Sequence, residues 1–245
     1  PFARSISKGE ADILNDCYVV AQDSVAQTFS QNATDEAFLT AIAFDRTNNQ
    51  IIRKDATFAS GTLVVTATQS TDVPAGSQFI TSDGQIYESQ VDKTAITQTF
   101  LITSLERVSN YAIATLSGHL LGNAMDITFA GADQTEFNVT SEIEVLSSSQ
   151  FRYVNVGSDE TATGTITGSY LGCKVVVTST EASVDANKTY TDSIDQASSI
   201  DYVDNVYIAY DGIIGGTDQE TLTNFKSRLI SFLAEPQNKG NRRQH

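Results

Sequence analysis

Gly215-Gly216-Thr217-Asp218-Gln219-Glu220-Thr221 leads into a run in which Leu222, Phe225, Leu229, Phe232 and Leu233 recur before Pro236 stops it. Spacings of three and four residues place these apolar side chains on one stripe of a helix, with Lys226, Ser227 and Arg228 mostly off it. Thr217 and Glu220 stand three apart just ahead of the stripe. In that Thr-x-x-Glu pattern a hydroxyl and a carboxylate satisfy the orphan N–H groups of a first helical turn. The expectation is a helix over 218–234, capped by Thr217 and Glu220, with Phe225 and Leu229 on its buried face.

Working outward, residues 10–30 carry Ile13, Leu14, Cys17, Val20, Ala21, Ser24, Val25 and Thr28 at helical spacing. Asp35–Phe44 reads as a second, shorter helix, with Thr34 or Asp35 as N-cap and Asn48-Asn49 as its stop. Together they form a helical arm over residues 1–53, which either packs on another subunit or folds back on the rest of the chain.

From about Thr57 the period changes to alternation. The inward positions expected are Leu63/Val65, Ile86, Ile96, Phe100/Ile102, Tyr111/Ile113, Ile127/Phe129, Phe137/Val139, Ile143/Val145, Phe151/Tyr153 and Ile166. Pro74-Ala75-Gly76, Asp83-Gly84, Gly118, Gly122-Asn123, Gly131, Gly157, Gly168 and Gly172 read as turns. The fold expected is α+β: mainly antiparallel β, as one or two β-sandwich-like domains, flanked by the N-terminal helical arm and the C-terminal capped helix. The β-rich body covers 54–210, with room for two sub-domains divided near 105–120, and 211–245 supplies the loop, the helix and the end of the chain.

Three stretches in this order resemble the phage baseplate J-like family. The first is Asp35–Phe44, then Arg53, then Ala56-Thr57-Phe58-Ala59-Ser60-Gly61-Thr62-Leu63-Val64-Val65. The second is Val73-Pro74-Ala75-Gly76-Ser77-Gln78-Phe79 with Thr81-Ser82-Asp83-Gly84 and Ile86-Tyr87, and the third is the Gly215–Thr221 stretch with its helix. Each piece alone is common in β proteins, and it is their order over residues 35–235 that is specific. Residues 105–205 carry no motif of the family and read as an insertion. The chain starts without Met and stops soon after Pro236, so both ends read as those of a fragment.

The resemblance implies a non-enzymatic baseplate wedge subunit of a contractile tail, in the virion and assembled in the host cytoplasm. Such a subunit joins copies of itself and other wedge or hub proteins and relays a shape change to the sheath. On that basis the candidate interface residues are Ile13, Val20, Phe38, Ile42, Phe225 and Leu229. No cofactor, nucleic acid or membrane insertion is implied.

Composition bounds the alternatives. A net charge of −15 over 245 residues repels phosphate backbones and anionic lipid, and favours basic partners. No apolar run approaches the roughly 20 residues that span a bilayer. Cys17 and Cys173 stand far apart in segments of different type and read as buried free thiols, consistent with a reducing compartment.

Chemistry is sparse. His119 is the one histidine away from the C-terminus and reads as a turn residue, and with two distant cysteines it makes no zinc-type spacing. Asp195, Asp201, Asp204 and Asp211 lack the Asp-x-Asp-x-Asp-Gly order of a calcium loop. Glu142/Glu144 and Asp159/Glu160 evoke the two carboxylates of a glycosidase, but Glu142 and Glu144 read as the exposed side of a strand whose other side is Ile143 and Val145. Gly215-Gly216-Thr217 lacks the lysine of a phosphate-binding loop. The rival from another class is a carbohydrate-binding tail-fibre or adhesin module, which suits Thr-rich sandwiches but calls for exposed aromatics in a cleft, and the chain has no Trp.

Overall fold

A computed structural model of the chain describes Cys17, residues 36–47 and residues 51–234. It divides into two compact units, one drawn from residues up to Asp55 together with those from Gln219 onward, the other Ala56–Asp218.

The first unit pairs two helices, α1 (Glu36–Thr47) and α2 (Leu222–Ala234). Their apolar stripes meet, burying Leu39, Ala43, Phe225 and Leu229, with Ile42, Ile51, Leu222 and Leu233 packed around them. Phe225 and Leu229 are therefore spent inside their own chain. Ile42 is half-buried, and Phe38 remains 42% exposed.

α2 starts later than the sequence pattern places it. Thr221, not Thr217, accepts the Asn224 N–H at 3.2 Å and caps the helix. Glu220 cannot close a capping box because other partners hold its carboxylate, as described below. Cys17 is exposed rather than buried, whereas Cys173 is buried. The rest of the expected 10–30 helix, Ile13 and Val20 included, lies outside the described residues.

The second unit is all antiparallel β apart from two short 3-10 turns. In chain order it begins with β1 (Phe58–Ala67), β2 (Asp72–Val73), β3 (Gln78–Thr81), β4 (Ile86–Ser89), β5 (Lys93–Thr94) and β6 (Ile96–Leu101). Next come β7 (Ser104–Val108), β8 (Tyr111–Thr115), β9 (Asp126–Ala132), β10 (Thr140–Glu142), β11 (Glu144–Ser147) and β12 (Gln150–Val154). The last four are β13 (Glu160–Thr161), β14 (Gly164–Ala182), β15 (Ile194–Gln196) and β16 (Val203–Ile214). They form a nine-stranded sheet, a five-stranded sheet in the order β11-β12-β8-β7-β13, and the small pair β2-β5.

The 19-residue β14 organises the large sheet. Its first part lies between β9 and β6, its second between β1 and β4. Its buried face changes with its neighbours. Ile166, Gly168, Tyr170 and Gly172 face inward, and from Cys173 the buried side becomes Cys173, Val175, Val177 and Ser179. One strand thus serves two cores: Ile166 and Tyr170 join the core shared with the five-stranded sheet, and Cys173, Val175 and Val177 join a second one with Leu63, Phe79 and Ile208. Gly168 and Gly172 are not turns but points of close approach. A Cβ on Gly168 would sit 2.4 Å from the Phe100 ring, and one on Gly172 would sit 2.3 Å from the Val65 carbonyl oxygen.

The segment without a motif supplies β9, β10, β14 and β15 to the large sheet and nearly all of the five-stranded sheet, which is the second layer of a sandwich. Leu105, Ala112, Ala114, Val145, Phe151 and Tyr153 of the five-stranded sheet pack on Ile127, Phe129 and Ile166 of the large one. Ring stacking fills the gap, with the Phe129 and Tyr153 centroids 4.2 Å apart. These bulky rings leave room only for alanines opposite, so β8 buries Ala112 and Ala114 and turns Tyr111 outward with the half-buried Ile113, the reverse of the expected phase. Ile96, on the edge strand β6, and Val139 are likewise exposed rather than inward. The β7–β8 hairpin turns through Ser109 and Asn110, at φ 52° and 68°, as a two-residue loop with two left-handed positions requires.

Candidate functional site

Arg53 and Glu220, from two of the three signature stretches, meet in the helical unit. Arg53 donates from Nε to the Glu220 carbonyl at 2.7 Å and ion-pairs with Glu36 at the head of α1. The Glu220 carboxylate takes a two-pronged bond from Arg228, Nε to Oε1 at 3.0 Å and Nη2 to Oε2 at 2.6 Å. It also accepts the Lys54 N–H at 3.1 Å, while its own N–H donates to the Lys54 carbonyl at 3.0 Å. Arg228 reaches the Ile52 carbonyl as well, at 2.6 Å. Charge-assisted forks of this kind are among the stronger polar contacts. The hydrogen bond from Arg228, above all, holds the Glu220 carboxyl below its ordinary range.

The glycines and threonine of the same signature make a second tie, inside the β unit. Thr57 and Thr217 exchange backbone hydrogen bonds at 3.0 and 3.2 Å, their hydroxyls lie 2.8 Å apart, and Thr57 Oγ1 donates to the Gly215 carbonyl at 2.6 Å. The Asn187 side chain brackets Gly216, accepting its N–H at 2.9 Å and donating to its carbonyl at 2.8 Å. Asp218 accepts from the Ser183 hydroxyl and the Val184 N–H. Gly216 is obligatory here, since a Cβ would lie 2.2 Å from the Ser183 carbonyl oxygen. From the Val73–Tyr87 stretch, the Tyr87 hydroxyl donates to the Ala186 carbonyl and Asp83 pairs with Lys188, both at about the same place in sequence as Asn187. Burial raises the Tyr87 phenol well above its ordinary value and keeps it a donor.

A third polar hub was not legible in the sequence. Arg107, with a side chain only 4% exposed, donates to the Ser158 carbonyl at 2.5 Å, the Asn155 amide oxygen at 2.7 Å and Glu160 at 3.1 Å, and lies 4.9 Å from the centroid of the Phe137 ring. It pins the loop after β12 to the sheet. Its inward phase beside Leu105 was the available signal, obscured by its charge.

The residues weighed for catalysis are dispersed. Glu142 lies in β10 of the large sheet and Glu144 in β11 of the other, because the chain changes sheets at the buried Ile143; they do not share one strand face. Glu144 is paired with Arg152 at 2.7 Å, Glu160 with Arg107, and Asp159 accepts the Ser109 N–H. His119 follows the turn at Gly118 and is buried, with Nε2 2.8 Å from the Ser147 carbonyl and Nδ1 accepting the Leu121 N–H. Desolvation lowers its pKa, which favours the neutral ring. Among the described residues no group of three or more His, Cys, Asp or Glu side chains could hold a metal ion, and no helix is long and apolar enough to cross a membrane.

Two open grooves mark the β surface. The groove lined by Pro74, Ala75, Gly76, Ser77, Ser198 and Ile200 has no aromatic ring in its wall. In the other, Tyr207 lies among Asp126, Asp204 and Asn205, and its phenol is raised by burial and then by those carboxylates.

No protein-family model matches this chain, and no curated protein matches it. Among solved structures it is similar to a chain of the anti-feeding prophage baseplate, seen by cryo-EM and sixfold symmetrised, with TM-score 0.37 and 12% identity. The match covers 92% of this chain and 47% of that one, so this chain spans about half the length of the solved one. A likeness at that score is too distant to carry a conclusion about function.

Proposed function

We propose that the chain is a structural baseplate wedge subunit of a contractile phage tail, acting through interfaces and not through a reaction. The observation that supports this reading is the use made of the first and third signature stretches. Arg53, Glu220 and Arg228 bind one another across the helical unit, and Thr57, Gly215, Gly216, Thr217 and Asp218 bind one another and residues 183–187 in the β unit. The residues that carry the resemblance hold the chain to itself at the two points where it passes between its units, at 55–56 and 218–219.

The candidate interface moves accordingly. Phe225 and Leu229 are taken by α1, which leaves the exposed apolar side chains of the helical unit, Phe38 at 42%, Phe44 at 66% and Ile52 at 60% among the described residues, for partners. Acidic surface favours basic neighbours. The test is incorporation. Phe44→Asp should leave the melting temperature of the isolated chain within a degree or two and reduce its incorporation into tail particles assembled in cells at least tenfold. Normal incorporation of Phe44→Asp, or purified tails that lack the chain altogether, would overturn the reading.

A further inference from the structure

The outer face of the five-stranded sheet is complementary to itself. Its three inner strands present three rows in exact cross-strand register: Gln150–Thr115–Ser104, Arg152–Ile113–Glu106 and Val154–Tyr111–Val108, each written β12 to β8 to β7. The opposite side of these strands is the buried one, carrying Leu105, Ala112, Ala114, Phe151 and Tyr153. The outer side is open, with Val154 63%, Val108 38% and Tyr111 37% exposed.

We propose that this face is an isologous dimer interface, occupied by a second copy of the chain. The argument is the symmetry of the rows about β8. A twofold axis running along β8 in the plane between two facing sheets exchanges β12 of one copy with β7 of the other. It brings Val154 onto Val108 of the second copy, Ile113 onto Ile113, Tyr111 onto Tyr111, and Gln150 onto Ser104. The charged row matches too, because Arg152 meets Glu106 of the second copy, and the contact is made twice. Sheets packed face to face lie within about 30° of alignment, so the rows nearest the axis stay matched.

The partners are available for these contacts. Arg152 bonds Glu144 through Nε and Nη2 and lies 4.4 Å over the Tyr111 ring, which fixes its guanidinium on the outer face. Glu106 is exposed. Like charges directly opposed would cost stability, so a face whose three inner strands carry one arginine and one glutamate placed symmetrically about β8 favours its own copy over a face of uniform charge.

Strand spacing and rise give a footprint of about 300 Å² per copy. That is well under the roughly 800 Å² per partner of a standard interface, so the dimer is a weak, transient one in a solution of this chain alone. The contact strengthens when other subunits hold two copies side by side. It stands apart from the baseplate reading: the dimer forms in a solution of this chain alone, whatever particle the chain belongs to.

Sedimentation equilibrium of the full chain tests it, over a range of about 5 to 500 µM that reaches the weak affinities of small interfaces. The mass should rise from the 26.4 kDa monomer toward twice that value. Glu106→Arg and Arg152→Glu should each weaken self-association at least tenfold, and an equimolar mixture of the two variants should recover a dimer, because each mixed pair then contains two opposite-charge contacts. A melting curve checks that each variant is folded; if Arg152→Glu is not, owing to its neighbour Glu144, Glu106→Arg and Ile113→Lys carry the test. A wild-type chain that stays monomeric throughout, folded variants that dimerise as the wild type does, or a mixture that stays monomeric would each overturn the proposal.

Discussion

The helical unit and the β unit are both held by an arginine hub, but they depend on it to different degrees. In the helical unit Arg228, Arg53 and Glu220 support a core of only four buried apolar side chains among the described residues, Leu39, Ala43, Phe225 and Leu229. In the β unit Arg107 fastens one loop beside two cores of 18 and 15 buried residues. A small core concentrates the cost of any single loss, and a large one spreads it. The helix pair is therefore expected to yield before the sandwich.

The largest effect should come from Phe225→Ala. Removing a fully buried ring costs about 3 to 5 kcal/mol, which is a large share of what a four-residue core supplies. Hydrogen exchange should show the amides of α2 losing protection while those of β1 and β14 keep theirs; equal loss in both would break the comparison. Next is Arg107→Met, expected to cost about 2 to 4 kcal/mol because the buried Asn155 amide oxygen loses its donor. Its mark should be lost protection confined to β7 and the 155–160 loop, with α1 and α2 untouched.

Glu220→Gln should cost less, about 1 to 2 kcal/mol, as the fork to Arg228 becomes neutral on one side. It also carries a pH signature. The folded pKa of Glu220 lies below its ordinary 4.5, so the stability it contributes is present above that value and is lost as pH falls through the folded pKa. A pH series below about 4.5 should therefore show the variant with a flatter slope than the parent. The smallest effect belongs to His119. Its folded pKa is depressed by burial, so the unfolded chain binds the proton more readily and stability declines as pH drops below the ordinary 6.5. His119→Gln should flatten that decline in chemical denaturation between pH 5 and 6.5, and a decline unchanged by the substitution would remove this account of the buried ring.

Much of this architecture was readable from residue spacing. The stripe of Phe225 and Leu229, the helix near Asp35–Phe44, and the alternation that buries Ile127, Phe129, Phe151 and Tyr153 all follow from local periodicity, because each element buries one face. The errors share a different cause. Thr217 and Glu220 match a capping box locally, but their partners, Thr57 and Lys54, lie 160 and 166 residues away, and the cap falls to Thr221. β14 reverses its buried side near Gly172, which no single period can express, so its glycines read as turns. The outward phase of Tyr111 and Ile113 depends on the ring of Phe129 across the sandwich and on that of Tyr153 beside Ala112 on the neighbouring strand. Contacts between distant residues decided each case.

The most direct test of the proposed function is a cryo-EM reconstruction of contractile tail particles purified from cells that produce this chain, with the baseplate resolved well enough to trace strands. The account predicts the helix pair and the two-sheet unit in the baseplate wedge, repeated around the tail axis, with Phe44 and Ile52 covered by neighbouring subunits. A baseplate without this fold, or the chain found only at the tip of a fibre with those two side chains in solvent, would contradict it.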